Sequence, residues 1–309
     1  MPVQAAPVGR FAPTPSGRMH LGNVFAALIA WLSVRSRGGT LVLRMEDLDI
    51  QRTNRENACA LREDLLWLGL HWDVETQPQS QRSAIYQEYF EKLKTQGLLY
   101  PCYCTRNQLH SVNAPHLSDG TYVYPGTCRD LTDTQRAAFD RAPAWRVRVP
   151  DREWAVQDLL QGTYRENLAT DCGDFVVRRA DGLFVYQLAV TVDDALSGVT
   201  EVVRGTDLLS SAPRQMYLQA LFGFPHPAYG HVPLLIAPDG RRLSKRDRDL
   251  DLGYLRAHCS PERILGVLAH ASGLMPTPEA ISAKELAGEF QWEKLHRQSI
   301  CLDAAALLP

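Results

Sequence analysis

Several features that mark specialised proteins are missing from this 309-residue sequence. No apolar run approaches the length of a membrane span. Met1 to Gly9 lacks the basic start and apolar core of a secretory signal. No strong charge of either sign is present: 33 Lys and Arg against 35 Asp and Glu leave a net charge of -2. Any nucleic-acid contact must therefore come from a local basic patch and not from a general field. An even, regularly spaced set of cysteines is also lacking. The seven are an odd number, and Cys59, Cys172, Cys259 and Cys301 are scattered, which argues against a disulfide framework and for a reducing, cytoplasmic setting. What remains is ordinary globular composition, 45% hydrophobic and 22% charged. The length admits one large catalytic domain with an insertion, or two modest domains.

The apolar pattern organises the chain. Residues 8–12 read as a strand, followed by the turn-rich PTPSGRMHLG. Residues 23–36 are apolar on most sides and stop at Gly38-Gly39, as a buried helix does. Residues 40–45 suit a buried parallel strand. Such a strand–loop–helix–strand unit closes right-handed and places ligands at the carboxyl ends of its strands. Two amphipathic helices follow, the first with capping-box spacing at Thr53 and Glu56. Periodicity breaks near residue 100. Residues 175–192 read as a hairpin turned at Asp181-Gly182, 199–204 as a strand, 213–222 as a helix, and 231–237 as a strand leading to the basic loop 241–248. The last 60 or so residues are mostly helical. The reading is a doubly wound α/β domain, its first half in 1–100 and its second in 191–250, interrupted by an insertion over 101–190 and ending in a short helical region over 251–309.

Two clusters carry chemistry. His20, Leu21, Gly22 and Asn23 lie after the first strand and just before the buried helix. A helix N-terminus attracts phosphate, Gly22 permits close approach, and His20 can donate to developing phosphate charge; the bland alternative is a surface turn. Cys102, Cys104 and Cys128 crowd into a segment with few apolar residues. Three thiolates are a base for tetrahedral zinc, against the alternative of three inert buried thiols, and His116 is the chemically ordinary fourth ligand. Arg129, Arg136, Arg141, Arg146, Arg148 and Arg152 are dense enough to face RNA, although such a run is more often a solvated face.

GRFAPTPSGRMHLGN resembles the HIGH signature region of class I aminoacyl-tRNA synthetases, in particular the glutamyl branch, and LSKR at 243–246 resembles the KMSKS signature. RMEDLD at 44–49, the cysteine cluster, DGLFVYQLAVTVDD at 181–194 and VTEVVRGTDLL at 199–209 extend the likeness over roughly residues 9–250. Only about 60 residues follow the second signature, too few for an anticodon-binding region. That favours a truncated paralogue, which implies activation of L-glutamate by ATP with Mg and transfer of glutamate to the queuosine base in the anticodon of tRNA(Asp). The alternatives are the catalytic portion of an enzyme charging tRNA(Glu), and a retired paralogue. A monomer is the default expectation.

The resemblance implies the site residues. His20 and Lys245 are the catalytic pair, with Gly22, Asn23 and Ser244 joining them around ATP; a solvated basic turn is the bland role for Lys245. Arg10, Phe11, Ala12, Pro13, Thr14, Glu46, Tyr186 and Arg204 surround the glutamate. A bidentate guanidinium at Arg10 suits the substrate's side-chain carboxylate, and Glu46 suits its α-ammonium group, with Asp47 and Asp49 as alternatives. Tyr186 reads as a strand residue on a half-buried face. For the metal, the resemblance favours Tyr124 over His116 as the fourth ligand of a structural zinc.

Overall fold

The computed structural model describes residues 5–105, 108, 123–241, 251–302 and 307. Strand β1 (Val8–Phe11) runs through the loop 12–20 into helix α1 (Leu21–Arg35) and strand β2 (Thr40–Leu43), which lies parallel to β1. Eleven of the fifteen residues of α1 are buried. One side packs on the sheet and another meets Ile264, Leu265, Leu268 and Leu286 of the C-terminal helices, which is why the sequence is apolar nearly all round.

The main sheet has seven strands in the order β3-β2-β1-β9-β10-β6-β7, adding β3 (Val74–Glu75), β6 (Glu153–Asp158), β7 (Gly162–Asn167), β9 (Glu201–Gly205) and β10 (Ala228–Val232). Neighbours are parallel except in the β6–β7 hairpin. The chain winds outward from β1 through β2 to β3, then returns to lay β9 and β10 on the other side of β1. The crevice beyond the carboxyl ends of β1 and β9 is thus the switch point where open α/β sheets bind ligands. A separate antiparallel sheet holds β4 (Leu99–Cys102), β5 (Ala144–Val147) and β8 (Phe175–Arg178). Helices α2 (Arg55–Trp67), α3 (Ser83–Thr95), α4 (Asp133–Ala137), α5 (Tyr186–Leu196) and α6 (Ser211–Phe222) precede the C-terminal α7 (Leu252–His258), α8 (Pro261–Ala271) and α9 (Ala283–Glu289). A short strand β12 (Ile300–Cys301) pairs with β11 (Leu235–Ile236), with Leu235 opposite Ile300. Among the described residues no helix is long and apolar enough to cross a membrane.

Three sequence expectations need correction. Residues 175–192 are a hairpin only in their first part: the chain turns at Asp181-Gly182 and Arg178 bridges Phe184 antiparallel, but the returning arm gives way to α5 at Tyr186. The β-branched run VTV there is helical because Leu188, Ala189 and Val192 pack on Tyr86, Phe90 and Leu218, so tertiary burial overrides local preference. Tyr186 therefore opens a helix and does not sit in a strand. Residues 231–237 divide into β10 and β11, with Pro233, which has no N–H, in the break. The cap of α2 is Asn54, whose side chain accepts from Asn57 N–H, not Thr53, which donates to the Asp49 carbonyl. Strands β6 and β7, within the 101–190 segment, extend the edge of the main sheet.

Candidate active site and metal centre

A cavity of about 400 Å³ opens at the switch point. The loop after β1, the start of α1, the segment after β2, the start of α5 and the ends of β9 and β10 converge on it. Arg10, Phe11, Ala12, Pro13, Thr14, His20, Gly22, Asn23, Glu46, Tyr186 and Arg204 all line it. Residues far apart in sequence therefore share one space. Ser244, Lys245 and His116 lie outside the described residues. The segment 242–250 nevertheless joins residues that border the cavity. Leu235 lines it upstream, and downstream Asp251 bridges to His20 while Leu252 N–H donates to the Met19 carbonyl at 2.9 Å.

His20 is the N-cap of α1. Its Nδ1 accepts from Gly22 N–H at 3.1 Å, and Asn23 Oδ1 accepts from His20 N–H at 3.4 Å, closing a capping box. With Nδ1 accepting, the neutral ring carries its proton on Nε2, which is then a donor. Gly22 also has a local reason of its own. A Cβ at 22 would lie 2.9 Å from the imidazole Cε1, so glycine makes room for the ring, and its amide is already taken by that ring.

Buried charges underpin the opposite wall. Arg44 is fully buried, with Nη1 2.7 Å from Asp194 Oδ1 and Nη2 donating to Glu46 Oε1 at 3.1 Å. Burial opposes its charge, but Asp194, Glu46 and Asp193 outweigh burial and raise its pKa above the ordinary arginine value. Arg10 donates to the Val203 carbonyl at 2.9 Å and lies 3.6 Å from Asp194. Burial lifts the Glu46 carboxyl above its usual range, against the opposing pull of Arg44 and Arg10. Asp193 is buried beside them and accepts from Gln79, Arg82 and Tyr86 at 2.8, 2.7 and 2.8 Å, tying α5 to α3.

Arg204 extends from β9 and donates to Tyr186 Oη at 3.2 Å and Gln215 Oε1 at 2.9 Å. Behind it stands His231, fully buried on β10, 3.0 Å from Arg204 Nε and 2.6 Å from Asp158 Oδ2. His231 and Asp158 escaped the sequence reading. One falls inside an apolar strand and the other at the end of a strand read as insertion, so only the β6–β10 pairing brings them together. Asp47 is turned away from the cavity, accepting from the amide and hydroxyl of Ser80.

The cysteine cluster sits on the small sheet, away from the cavity. Cys102, Cys104 and Cys128 sulfurs lie within 4.8 Å of one another. Cys104 and Cys128 sulfurs are 3.6 Å apart, and Tyr124 Oη is 3.5 Å from Cys102 Sγ and 3.8 Å from Cys104 Sγ. Metal–sulfur bonds of about 2.3 Å and a metal–oxygen bond of about 2.0 Å in a tetrahedron require S···S near 3.8 Å and S···O near 3.5 Å. The donor set fits, so this cluster can hold a metal ion. Gly173, at φ 70°, sits where a Cβ would meet the Tyr124 carbonyl oxygen at 2.3 Å, which lets the two backbones bridge and seats the tyrosine. Arg146 is buried, not solvated: its Nε lies 3.3 Å from Cys102 Sγ and its guanidinium covers the Tyr124 ring at 3.6 Å. Burial works against thiolate at Cys102, yet Arg146 and the hydrogen bonds it receives bring its pKa down; burial pushes Cys104 up to about 12.

Residues 8–302 match the family model described as tRNA synthetases class I (E and Q), catalytic domain. The chain is 46% identical to a glutamyl-Q tRNA(Asp) synthetase of Symbiobacterium thermophilum, over 97% of each chain. It is 44% identical to one of Thiobacillus denitrificans, over 94% of this chain and 93% of that one. In structure it is similar to a glutamate tRNA ligase from Elizabethkingia meningosepticum solved with its amino acid, at a TM-score of 0.83 and 26% identity, covering 98% of this chain and 68% of the other. With the doubly wound sheet, the capped His20 helix at its switch point and these likenesses together, the chain belongs to the glutamate and glutamine branch of the class I tRNA synthetases.

Proposed function

We propose that this enzyme joins L-glutamate to ATP without tRNA, giving glutamyl-adenylate and pyrophosphate, and then transfers glutamate to the queuosine base in the anticodon of tRNA(Asp). The observation that carries the first half is the single cavity, in which an N-capping histidine at one helix start shares space with Glu46, Arg10 and Arg204. Such a cavity suits a substrate bearing one ammonium and two carboxylates beside a nucleotide. A substrate carboxylate oxygen attacks the α-phosphorus and pyrophosphate leaves, so the protein needs no covalent intermediate. Its task is alignment and charge stabilisation. His20 Nε2–H faces the nucleotide, with Gly22 and Asn23 shaping that wall; Ser244 and Lys245 join it, Lys245 supplying a cation. Arg10, Arg204 and Tyr186 hold carboxylate groups, Glu46 the ammonium, and Phe11, Ala12, Pro13 and Thr14 form the floor. In the second step the queuosine base attacks the acyl carbon and AMP leaves. The names of the two relatives above support this acceptor.

Cys102, Cys104, Cys128 and Tyr124 would hold one zinc ion in a closed, structural role, because their geometry leaves no position facing the cavity. Mg accompanies ATP. The protein acts in the cytoplasm as a monomer. Two assays test the reading. Glutamate-dependent ATP–pyrophosphate exchange without tRNA is expected, and labelled glutamate should appear on queuosine-containing tRNA(Asp) and on neither queuosine-free tRNA(Asp) nor tRNA(Glu). Labelling of tRNA(Glu) alone would overturn the acceptor, and no exchange would overturn the activity.

A further inference from the structure

Of the three buried arginines around the cavity, two bring their own carboxylate. Arg10 has Asp194 at 3.6 Å, and Arg44 has Asp194 at 2.7 Å and Glu46 at 3.1 Å. Arg204 is different. Its described partners are neutral: Tyr186 Oη, Gln215 Oε1 and His231 Nε2, while its Nη2 is buried without a hydrogen-bond partner. Gln215 is itself fixed, donating to Gln187 Oε1 at 3.0 Å.

The chemistry of this contact fixes the imidazole. A guanidinium can only donate, so His231 Nε2 must accept and the ring proton must sit on Nδ1, donating to Asp158 Oδ2 at 2.6 Å. The other tautomer would point one N–H at another. Asp158 is itself held, since its Oδ1 accepts from the amides of Leu160 and Gln161, each at 2.9 Å. The imidazole therefore stands between the carboxylate and the guanidinium. It transmits orientation from Asp158 to Arg204 while keeping the two charges out of direct contact. A carboxylate placed directly on Arg204 would hold it as well but would satisfy the cation from within.

We infer that His231 and Asp158 are positioning residues that keep Arg204 aimed and without an internal counter-charge, so that a carboxylate of the amino-acid substrate supplies it. This rests on the reading of the cavity as the amino-acid site. It extends that site two residues deeper, onto strands β10 and β6.

Three variants test it, with KM for glutamate and for ATP read in pyrophosphate exchange and the glutamate-induced rise in melting temperature read alongside. Asp158→Asn keeps an oxygen for the Leu160 and Gln161 amides but sets an N–H toward Nδ1, which forces the wrong tautomer against Arg204. His231→Leu removes the acceptor. Each should raise KM for glutamate about tenfold or more, as expected for losing a hydrogen bond to a charged group, and leave KM for ATP unchanged. His231→Gln, whose amide can accept from Arg204 and donate to Asp158, should recover most of the loss. A purely structural role would lower melting temperature and active fraction without moving KM for glutamate. Should the leucine variant not fold, Asp158→Asn carries the test. The inference is overturned if folded Asp158→Asn keeps KM for glutamate within about twofold of wild type, or if the glutamine and leucine variants lose equally. Wild-type protein without glutamate-dependent exchange would instead remove the underlying reading of the cavity.

Discussion

Asp193 is the point where α5 is fastened to α3, and replacing it should loosen the cavity wall beside Tyr186. Its Oδ1 takes Arg82 Nε at 2.7 Å, and its Oδ2 takes Gln79 Nε2 and Tyr86 Oη, both at 2.8 Å, with Arg44 Nε 3.7 Å away. In Asp193→Asn one oxygen remains, and it is best spent on Arg82, because the Gln79 amide can flip and the Tyr86 hydroxyl can turn to meet the new N–H. What is lost is the charged part of the Arg82 bond and the attraction to Arg44, about 2–3 kcal/mol for hydrogen bonding to charged groups. Asp193→Ala strips both acceptor oxygens, with their three hydrogen bonds, and leaves Arg82 without its carboxylate, about 3–5 kcal/mol by the usual cost of breaking a buried pair. At about 1.5 °C per kcal/mol for 309 residues, the asparagine variant should melt about 3–5 °C early and the alanine variant earlier still. Thermal scans by far-ultraviolet dichroism read this directly. An asparagine variant within about 0.5 kcal/mol of wild type, the range of a surface substitution, would refute the reasoning that this network is a structural hub.

Other consequences can be measured. His20→Asn keeps an N-capping side chain and should lower kcat for exchange about 10²–10³-fold with little change in melting temperature, while His20→Ala should lose about 1 kcal/mol of stability as well. Zinc is expected at one ion per chain by atomic absorption, and its removal by a chelator should raise hydrogen exchange in residues 99–105 and 123–131 before the main sheet; a Cys102→Ser and Cys128→Ser double variant that still binds zinc stoichiometrically would exclude the cluster. His231 is held neutral, with burial first and Arg204 next pushing its pKa down from 6.5 to about 4. Because the unfolded chain takes up a proton as pH falls from about 6.5 while the native ring stays neutral until about 4, stability should fall across that window by up to about 3 kcal/mol. Melting curves against pH should show a shallower fall for His231→Gln.

How much of this was readable in the chain follows from where each residue's reason lies. The β1–α1–β2 unit was legible because its apolar pattern and its glycine stop are local, and the cavity residues near its ends came with it. Tyr186 was misplaced because VTV carries strand preference, and only packing against α3 and α6 makes it helical. Asp158 and His231 left no signal, since a polar residue in an apolar strand acquires meaning only from the neighbour that register provides. Gly22 has a reason the sequence did not show: its missing side chain makes room for the imidazole two residues before it. Arg146 read as part of a solvated basic run, yet the cysteine cluster buries it.

The pairing of Leu235 with Ile300 has a bearing on synthesis. Strand β11, whose Leu235 lines the cavity, is paired by a strand that leaves the ribosome some 65 residues later, at 300 against 235. The nascent main sheet can order early, but β11 stays unpaired along that edge until residues 300–301 have emerged, so the part of the cavity wall that Leu235 supplies is fixed late.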